Sequence, residues 1–428
     1  MARMRGLARL TSVPAYFCFK IAAAIVLLKL CASFLTVGGY AEFAQLVQLG
    51  TVLNLLAVGG AQNGLIRQSA AAGDDEHLAA IHSAALMIWG AAVARLIVPL
   101  CLASGAVSSV LIGDRSAWPS VIAITFLSLT GGAGQIWCSI LSGKKKVATS
   151  LLAQASGLFA GTAGAVVFIV RGEPQAAATA FAAGPLLTLL VAGTAVRRVH
   201  IRTASRAEGA RQILPLLRYS GAFGVTSGYL AITLFALRSF YREQFGSIAL
   251  GYWIAANRIS DMSTQLLGLF IIQFYVSHVA VLDDGAERRA FILRCWAAGT
   301  ALMTTAFLVF SFAGPELVTL FLSPAFVPAV PVIRTYMLGD ILTVWASLAM
   351  FTAFARGRPG RYAAIEIGTI SLMAAIAMGL MASGNPRAPQ LAYVGAYAVT
   401  AILVTIVFLS SFARSQGSPS ARKTAFTA

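Results

Sequence analysis

Charge is scarce in this chain. Only 11% of its 428 residues are Asp, Glu, Lys or Arg, against about 25% in an ordinary soluble domain. Acidic residues are the scarcer sign, with 15 Asp and Glu against 32 Lys and Arg. Cysteine is sparse and unpaired. Cys18, Cys31, Cys101, Cys138 and Cys295 stand singly in apolar stretches, with no CxxC or Cys/His spacing, so no metal or redox motif is readable. The four histidines also lie apart. His77 and His82 follow acidic residues after the second apolar stretch, which suggests a solvated loop. No GxSxG, HExxH or phosphate-cradling glycine loop occurs. The lone carboxylates form no visible acid–base pair, and the polar links are too short for a catalytic domain. We therefore expect no enzyme, no cofactor and no bound metal.

Hydrophobic residues make up 58% of the chain, more than a single water-soluble core of this size can bury. Lipid is the remaining solvent, and in lipid the backbone must satisfy itself within helices or closed barrels. Barrel strands alternate apolar and polar residues. Here the apolar runs are continuous, so the expectation is an all-α integral membrane protein. Twelve candidate spans cover about 14–36, 41–66, 80–104, 118–141, 147–170, 175–196, 214–237, 247–279, 291–313, 328–354, 361–382 and 389–412, each long enough for a hydrocarbon core of about 30 Å. With the N-terminus cytoplasmic, the inside segments hold 22 of the basic residues, the outside turns six and the spans four. This bias supports twelve helices with both ends cytoplasmic. It also accounts for the net charge of +17 without nucleic acid, which would need a soluble basic face. Arg3, Arg5 and Arg9 before an apolar run imitate a signal peptide, but Lys20 and Lys29 interrupt that run, so we read it as a retained first helix.

The longest polar link, Arg197 to Gln212, divides the chain almost in half. This suggests a six-helix bundle at 1–196, a cytoplasmic basic linker at 197–213, a second six-helix bundle at 214–413, and a disordered cytoplasmic tail at 414–428. A weak echo between halves agrees. Gly39-Tyr40-Ala41 opens span two and Gly251-Tyr252-Trp253 opens span eight; Gly143-Lys144 and Gly357-Arg358 start matching basic turns. Parallel repeats of this kind are a common transporter plan.

Ionisable residues within spans are costly and therefore informative. Arg258, Asp261 and Gln265 recur at i, i+3 and i+7, on one helical stripe. There an arginine can hold a phosphate through paired hydrogen bonds while the aspartate compensates it; the alternative is a structural ion pair between helices. Lys29 sits deeper than Lys20, which can snorkel to the surface. Arg95 lies near the middle of span three and either faces a cavity or pairs with a neighbour. Span two carries Glu42, Gln45, Gln48, Asn54, Gln62, Asn63 and Arg67, either lining a cavity or fastening helix to helix. Asp340 and Glu366 are isolated carboxylates that could load and release a proton, or could bond a neighbouring helix.

Four segments carry a family resemblance. They are Gly59-Gly60-Ala61-Gln62-Asn63-Gly64 followed by Arg67, Ile259-Ser260-Asp261 in a polar stripe, Leu338-Gly339-Asp340-Ile341-Leu342, and Arg361-Tyr362-Ala363-Ala364-Ile365-Glu366. In this order the chain resembles the Wzx-type polysaccharide flippases of the multidrug/oligosaccharidyl-lipid/polysaccharide (MOP) exporter superfamily, most nearly the enterobacterial common antigen lipid III flippase type. The resemblance implies two six-helix bundles around a central cavity, as in MATE/MOP-like folds, within a bacterial inner membrane. It implies a cargo of undecaprenyl-pyrophosphate-linked glycan, moved from the cytoplasmic to the periplasmic leaflet. A glycan polymerase and a chain-length regulator are further candidate partners, beside the lipid bilayer itself. Substrate binding and translocation would then fall to Lys29, Asn63, Arg67, Arg95, Arg258, Asp261 and Gln265, with Asp340 and Glu366 as candidates for proton coupling. This sequence is richer in Ala and Gly than the family pattern, and the cations of spans one and three match no family motif.

Three rivals remain at this stage. A drug or cation antiporter of the same superfamily would share the fold but carry a cationic cargo. A lipid II flippase of the peptidoglycan pathway typically has fourteen spans. A membrane glycan polymerase or ligase would need a large outside loop, whereas the longest outside link here, near Phe312 to Ala329, is short and nearly uncharged.

Overall fold

The structure, a computed structural model, describes residues 2–58, 61–271, 275–282, 286–356 and 358–416. These residues form fourteen α-helices and two 3₁₀ turns, with no strand among them. In order the helices are α1 (Ala2–Phe34), α2 (Val37–Val58), α3 (Gln62–Ala71), α4 (Asp75–Leu102), α5 (Ser104–Ile112), α6 (Trp118–Gly143) and α7 (Val147–Val170). They continue as α8 (Pro174–Arg198), α9 (Arg206–Phe270), α10 (Val276–Val281), α11 (Ala286–Phe321), α12 (Val330–Ala355), α13 (Pro359–Ala382) and α14 (Ala388–Gln416).

Ten of these segments are long and apolar enough to cross a membrane, and they fall on expected spans one to six and nine to twelve. Large apolar side chains on them are bare: Phe159 is 64% exposed, Leu190 65% and Phe312 85%. In water such surfaces would aggregate; in lipid they meet their solvent. The protein is a multi-pass α-helical membrane protein. The tail beyond 416 lies outside the described residues.

The helix boundaries follow local chemistry. Asp74 caps α4 by accepting the His77 backbone N–H at 2.6 Å, and Asp75 and Glu76 sit favourably in its first turn. Prolines stand at the first or second position of α6, α8 and α13, where a missing N–H costs nothing.

Three expectations are corrected. Span two was read as continuous over 41–66, but α2 closes at Val58 and a separate α3 opens at Gln62. Paired glycines at 59–60 disfavour a helix interior. Asn63 and Arg67 therefore belong to α3. Spans seven and eight lie within α9 as two helical segments separated at Gly246 (φ 86°, ψ 170°), in keeping with the expected break, in a backbone conformation that glycine adopts without strain. Tyr241 stands edge-on to Trp253 at 5.1 Å across this break. The outside link near 312–329 is mostly helical. After a bend at Ala313 and Pro315, α11 runs on to Phe321, as proline kinks a helix without ending it. Finally, His82 is no loop residue. It is 4% exposed on α4, with one ring nitrogen 3.1 Å from the Arg202 carbonyl oxygen and the other 3.1 Å from the Trp137 indole N–H.

The chain folds as two compact units. The first comprises residues 1–255 and 315–329. Close approach of small residues organises much of it. A Cβ on Gly161 would lie 2.7 Å from the Phe181 carbonyl oxygen, and one on Gly157 would lie 2.9 Å from that of Gly184. Helices α7 and α8 therefore pack backbone to backbone, as small-residue patterns permit in membranes. The second unit comprises residues 256–314 and 330–428. Its core is aromatic and aliphatic, with Trp296 stacked on Trp345 at 4.7 Å and Leu267, Ile271, Tyr275, Val344 and Leu348 buried around them.

Gly161→Val is expected to destabilise the first unit by about 1–3 kcal/mol or more through overpacking. Gly368, which faces open space, should tolerate alanine. Thermal unfolding of the two variants in detergent checks this.

Candidate functional site

The second unit holds a buried polar cluster built on three helices. Asp340 on α12 is only 2% exposed. Its carboxylate accepts from Ser260 Oγ at 2.7 Å and from Tyr393 OH at 2.9 Å. Ser263 Oγ is 3.2 Å from its second oxygen and 2.7 Å from the Ser260 carbonyl; its single proton serves one or the other. No lysine or arginine bridges to Asp340 among the described residues.

Local sequence explains how the tyrosine reaches the acid. A Cβ at position 339 would collide with the Tyr393 ring. Glycine at that position lets the ring lie against α12, and the next residue receives its hydroxyl. The Gly-Asp pair is thus one packing device. Thr343, one turn on, places its hydroxyl 3.1 Å from the Tyr393 oxygen. Tyr397 lies one turn along α14 from Tyr393, at 4.8 Å between rings.

The α9 segment beyond Ala256 presents two faces. With 3.6 residues per turn, Ser260 and Ser263 share the face turned to Asp340. Arg258, Asp261 and Gln265 share another, as the spacing predicted. Asn257 Nδ2 donates to Asp261 Oδ1 at 3.2 Å. Arg258 is half-buried and Gln265 exposed. No hydrogen bond or ion pair joins Arg258 to any described residue. Glu366, on α13, is half-buried and bonded to Tyr362, one turn before it.

The remaining candidates belong to the first unit. Lys29 is half-buried on α1, and its Nζ donates to the Thr319 carbonyl oxygen at 2.8 Å. It therefore fastens α1 to the end of α11. Arg67 is exposed on α3, and Arg95 is exposed on α4. The side chain of Asn63 lies outside the described residues. Sequence reasoning thus singled out Asp340 as an isolated carboxylate and Arg258, Asp261 and Gln265 as a separate stripe, but it missed Ser260, Ser263, Tyr393 and Tyr397. The i, i+4 pair of tyrosines on an apolar helix was the available signal.

Tyr393→Phe removes one of the donors to a buried carboxylate and should lower stability by about 1–3 kcal/mol. Asp340→Asn, which keeps an acceptor at the same place, should be milder than Asp340→Leu, which strands the hydroxyls. Thermal unfolding of the three variants in one detergent ranks them.

No protein-family model matches the chain, and no curated protein does either. Solved structures do match. An inward-facing multidrug resistance MATE family transporter of the MOP superfamily superposes with a TM-score of 0.74 at 15% identity, over 95% of this chain and 96% of that one. Its outward-facing conformation gives 0.62 at 16% identity, over 95% of each chain. The lipid II flippase MurJ, in an inward closed conformation, gives 0.71 at 11% identity, over 92% of this chain and 87% of that one. Over nearly its whole length, the chain has the fold of these membrane transporters and flippases.

Proposed function

We propose that the protein is a flippase for undecaprenyl-pyrophosphate-linked oligosaccharide, an O-antigen, common antigen or exopolysaccharide repeat unit. It moves this cargo from the cytoplasmic to the periplasmic leaflet of a bacterial inner membrane by alternating access, with both chain termini cytoplasmic. The observation that carries the reading is Arg258, a half-buried cation on a polar helical stripe that bonds to no described residue. A guanidinium so placed is suited to a pyrophosphate, which offers oxygens for paired, charge-assisted bonds. Asp261 and Gln265 on the same stripe supply a counter-charge and a glycan hydrogen-bond partner. A fold shared with a lipid II flippase supports a lipid-linked cargo, and the four resembling segments support a glycan on it. The functional division into halves 1–196 and 214–413 belongs to this reading, as do a polymerase and a chain-length regulator as partners. Lys29, Asn63, Arg67 and Arg95 are secondary contacts for the cargo.

Asp340 and Glu366 are the proposed coupling groups. A carboxylate held only by hydroxyl donors can take a proton and still keep its hydrogen bonds, because a hydroxyl can turn to accept.

The second reading is a proton-driven antiporter for cationic small molecules. It is favoured by the buried carboxylate of Asp340 and by the fold shared with a multidrug transporter. Reconstitution separates the two. In proteoliposomes, leaflet exchange of a labelled polyprenyl-pyrophosphate oligosaccharide should fall at least ~10-fold in Arg258→Ala, the loss of about one paired charge contact, and recover partly in Arg258→Lys. Wild-type rates in Arg258→Ala would overturn the assignment. Uptake of organic cations with no movement of the lipid-linked glycan would establish the antiporter. Asp340→Asn should abolish acceleration by an imposed proton gradient while leaving downhill exchange intact.

A further inference from the structure

The segment between α8 and α9 is fastened through its backbone, which leaves its side chains to the surroundings. Trp137 Nε1 is solely a donor, so the His82 nitrogen facing it must accept. The other His82 nitrogen then donates to the Arg202 carbonyl. Two residues on, Ser83 Oγ and the Ala204 backbone exchange bonds in both directions, at 3.1 and 2.8 Å. The Ala204 N–H also reaches the Ala79 carbonyl at 3.3 Å. Ile201 packs against the Leu141 and Val196 cluster. At the far end, Ser205 and Glu208 form a reciprocal capping box at the start of α9. Nothing in this arrangement uses a basic side chain.

Those basic side chains are numerous. Arg197, Arg198, Arg202 and Arg206 are all exposed, and so are Lys145 and Lys146 in the turn beside them. That turn lies at the same end of the unit, since Leu141 beside it packs in one cluster with Val196 and Ile201. The acidic groups nearby are Glu208, bound to Ser205, Asp74, bound to the His77 N–H, and the exposed Asp75 and Glu76 at the start of α4. The balance at this end stays positive. It lies where candidate spans α4 and α8 begin and end, at the level of headgroups.

We infer that residues 197–206, pinned by His82, Ser83 and Trp137, form a preformed ridge that binds anionic phospholipid headgroups of the adjacent leaflet. Guanidinium groups hold phosphodiesters by paired bonds. A backbone already fixed loses little further freedom on binding. Basic residues beside a span contribute roughly fivefold each to association with an anionic membrane surface. The ridge would hold the connection between α8 and α9 against the membrane, independently of any cargo.

The test uses the full chain purified from mixed micelles, with bound phosphatidylglycerol and phosphatidylcholine counted by mass spectrometry. Wild type should retain phosphatidylglycerol at least ~10-fold over phosphatidylcholine, with the preference falling at high salt. The variant R197Q/R198Q/R202Q/R206Q should approach parity. Trp137→Phe and Ser83→Ala keep every charge but loosen the backbone, and each should lower the preference several-fold. An unchanged preference in the four-arginine variant overturns the proposal, and an unchanged preference in both loosened variants overturns its pinned geometry. An equal loss in R358Q/R361Q, in the other unit, would reduce the effect to net charge. Displacement of phosphatidylglycerol by equimolar inorganic phosphate would assign the ridge to free anion and overturn the lipid reading.

Discussion

Hydrocarbon offers no hydrogen bonds to a peptide group, and every later feature of this molecule answers to that constraint. Helices satisfy their own backbones, so the chain is helical almost wherever it is described. Departures occur where the sequence supplies a residue that can accommodate them. Gly246 turns the chain between two helical segments at a positive φ that a side chain would resist. Pro315 bends α11 by withholding an N–H.

The same constraint acts on side chains, and the two units answer it differently. In the first unit α7 and α8 approach until only glycine fits at positions 157, 161 and 184. Dispersion between close backbones then does the work that the hydrophobic effect cannot do in lipid. In the second unit a carboxylate is admitted to the interior and must be paired. Asp340 is tolerable because hydroxyls from two helices converge on it. One of them arrives only because Gly339 leaves room for its ring. The glycine and the aspartate are therefore a single unit of design, and a change at either is felt at Tyr393.

Much of this was legible in the sequence, and the illegible part has identifiable causes. Long apolar runs and the bias of basic residues located the spans, because the bilayer sets their length. The i, i+3, i+7 spacing put Arg258, Asp261 and Gln265 on one stripe, because helical period is fixed. His82 was misread as a loop residue because acidic neighbours suggested solvent, whereas those acids cap the start of α4 and the histidine lies two turns inside it. Its partners are 55 and 120 residues away in sequence, a separation that no local pattern reveals. Ser260 and Tyr393 were passed over for a similar reason. Single hydroxyls in apolar helices normally bond to their own backbone, and only the tertiary structure shows that these two bond to Asp340. Lys29 looked like a free cation and is tied to the Thr319 carbonyl, a contact that depends on where α11 ends.

The distribution of satisfied and unsatisfied charge bears on which sign of cargo the protein would carry. A buried group whose hydrogen bonds are complete gains little from a ligand, while one left without partners gains much. Asp340 has its donors already, Glu366 has Tyr362, and Asp261 has Asn257. Among the described residues, Asp340 is thus held in place by hydroxyls. Arg258 has no bond to a described residue, and desolvating a guanidinium in that condition is costly. A ligand bringing oxygens would relieve that cost; a ligand bringing a positive charge would add to it. Under the proposed function, the anionic end of the cargo is therefore the part the helix is built to receive, and the hydroxyl-held carboxylates are free to respond to protons.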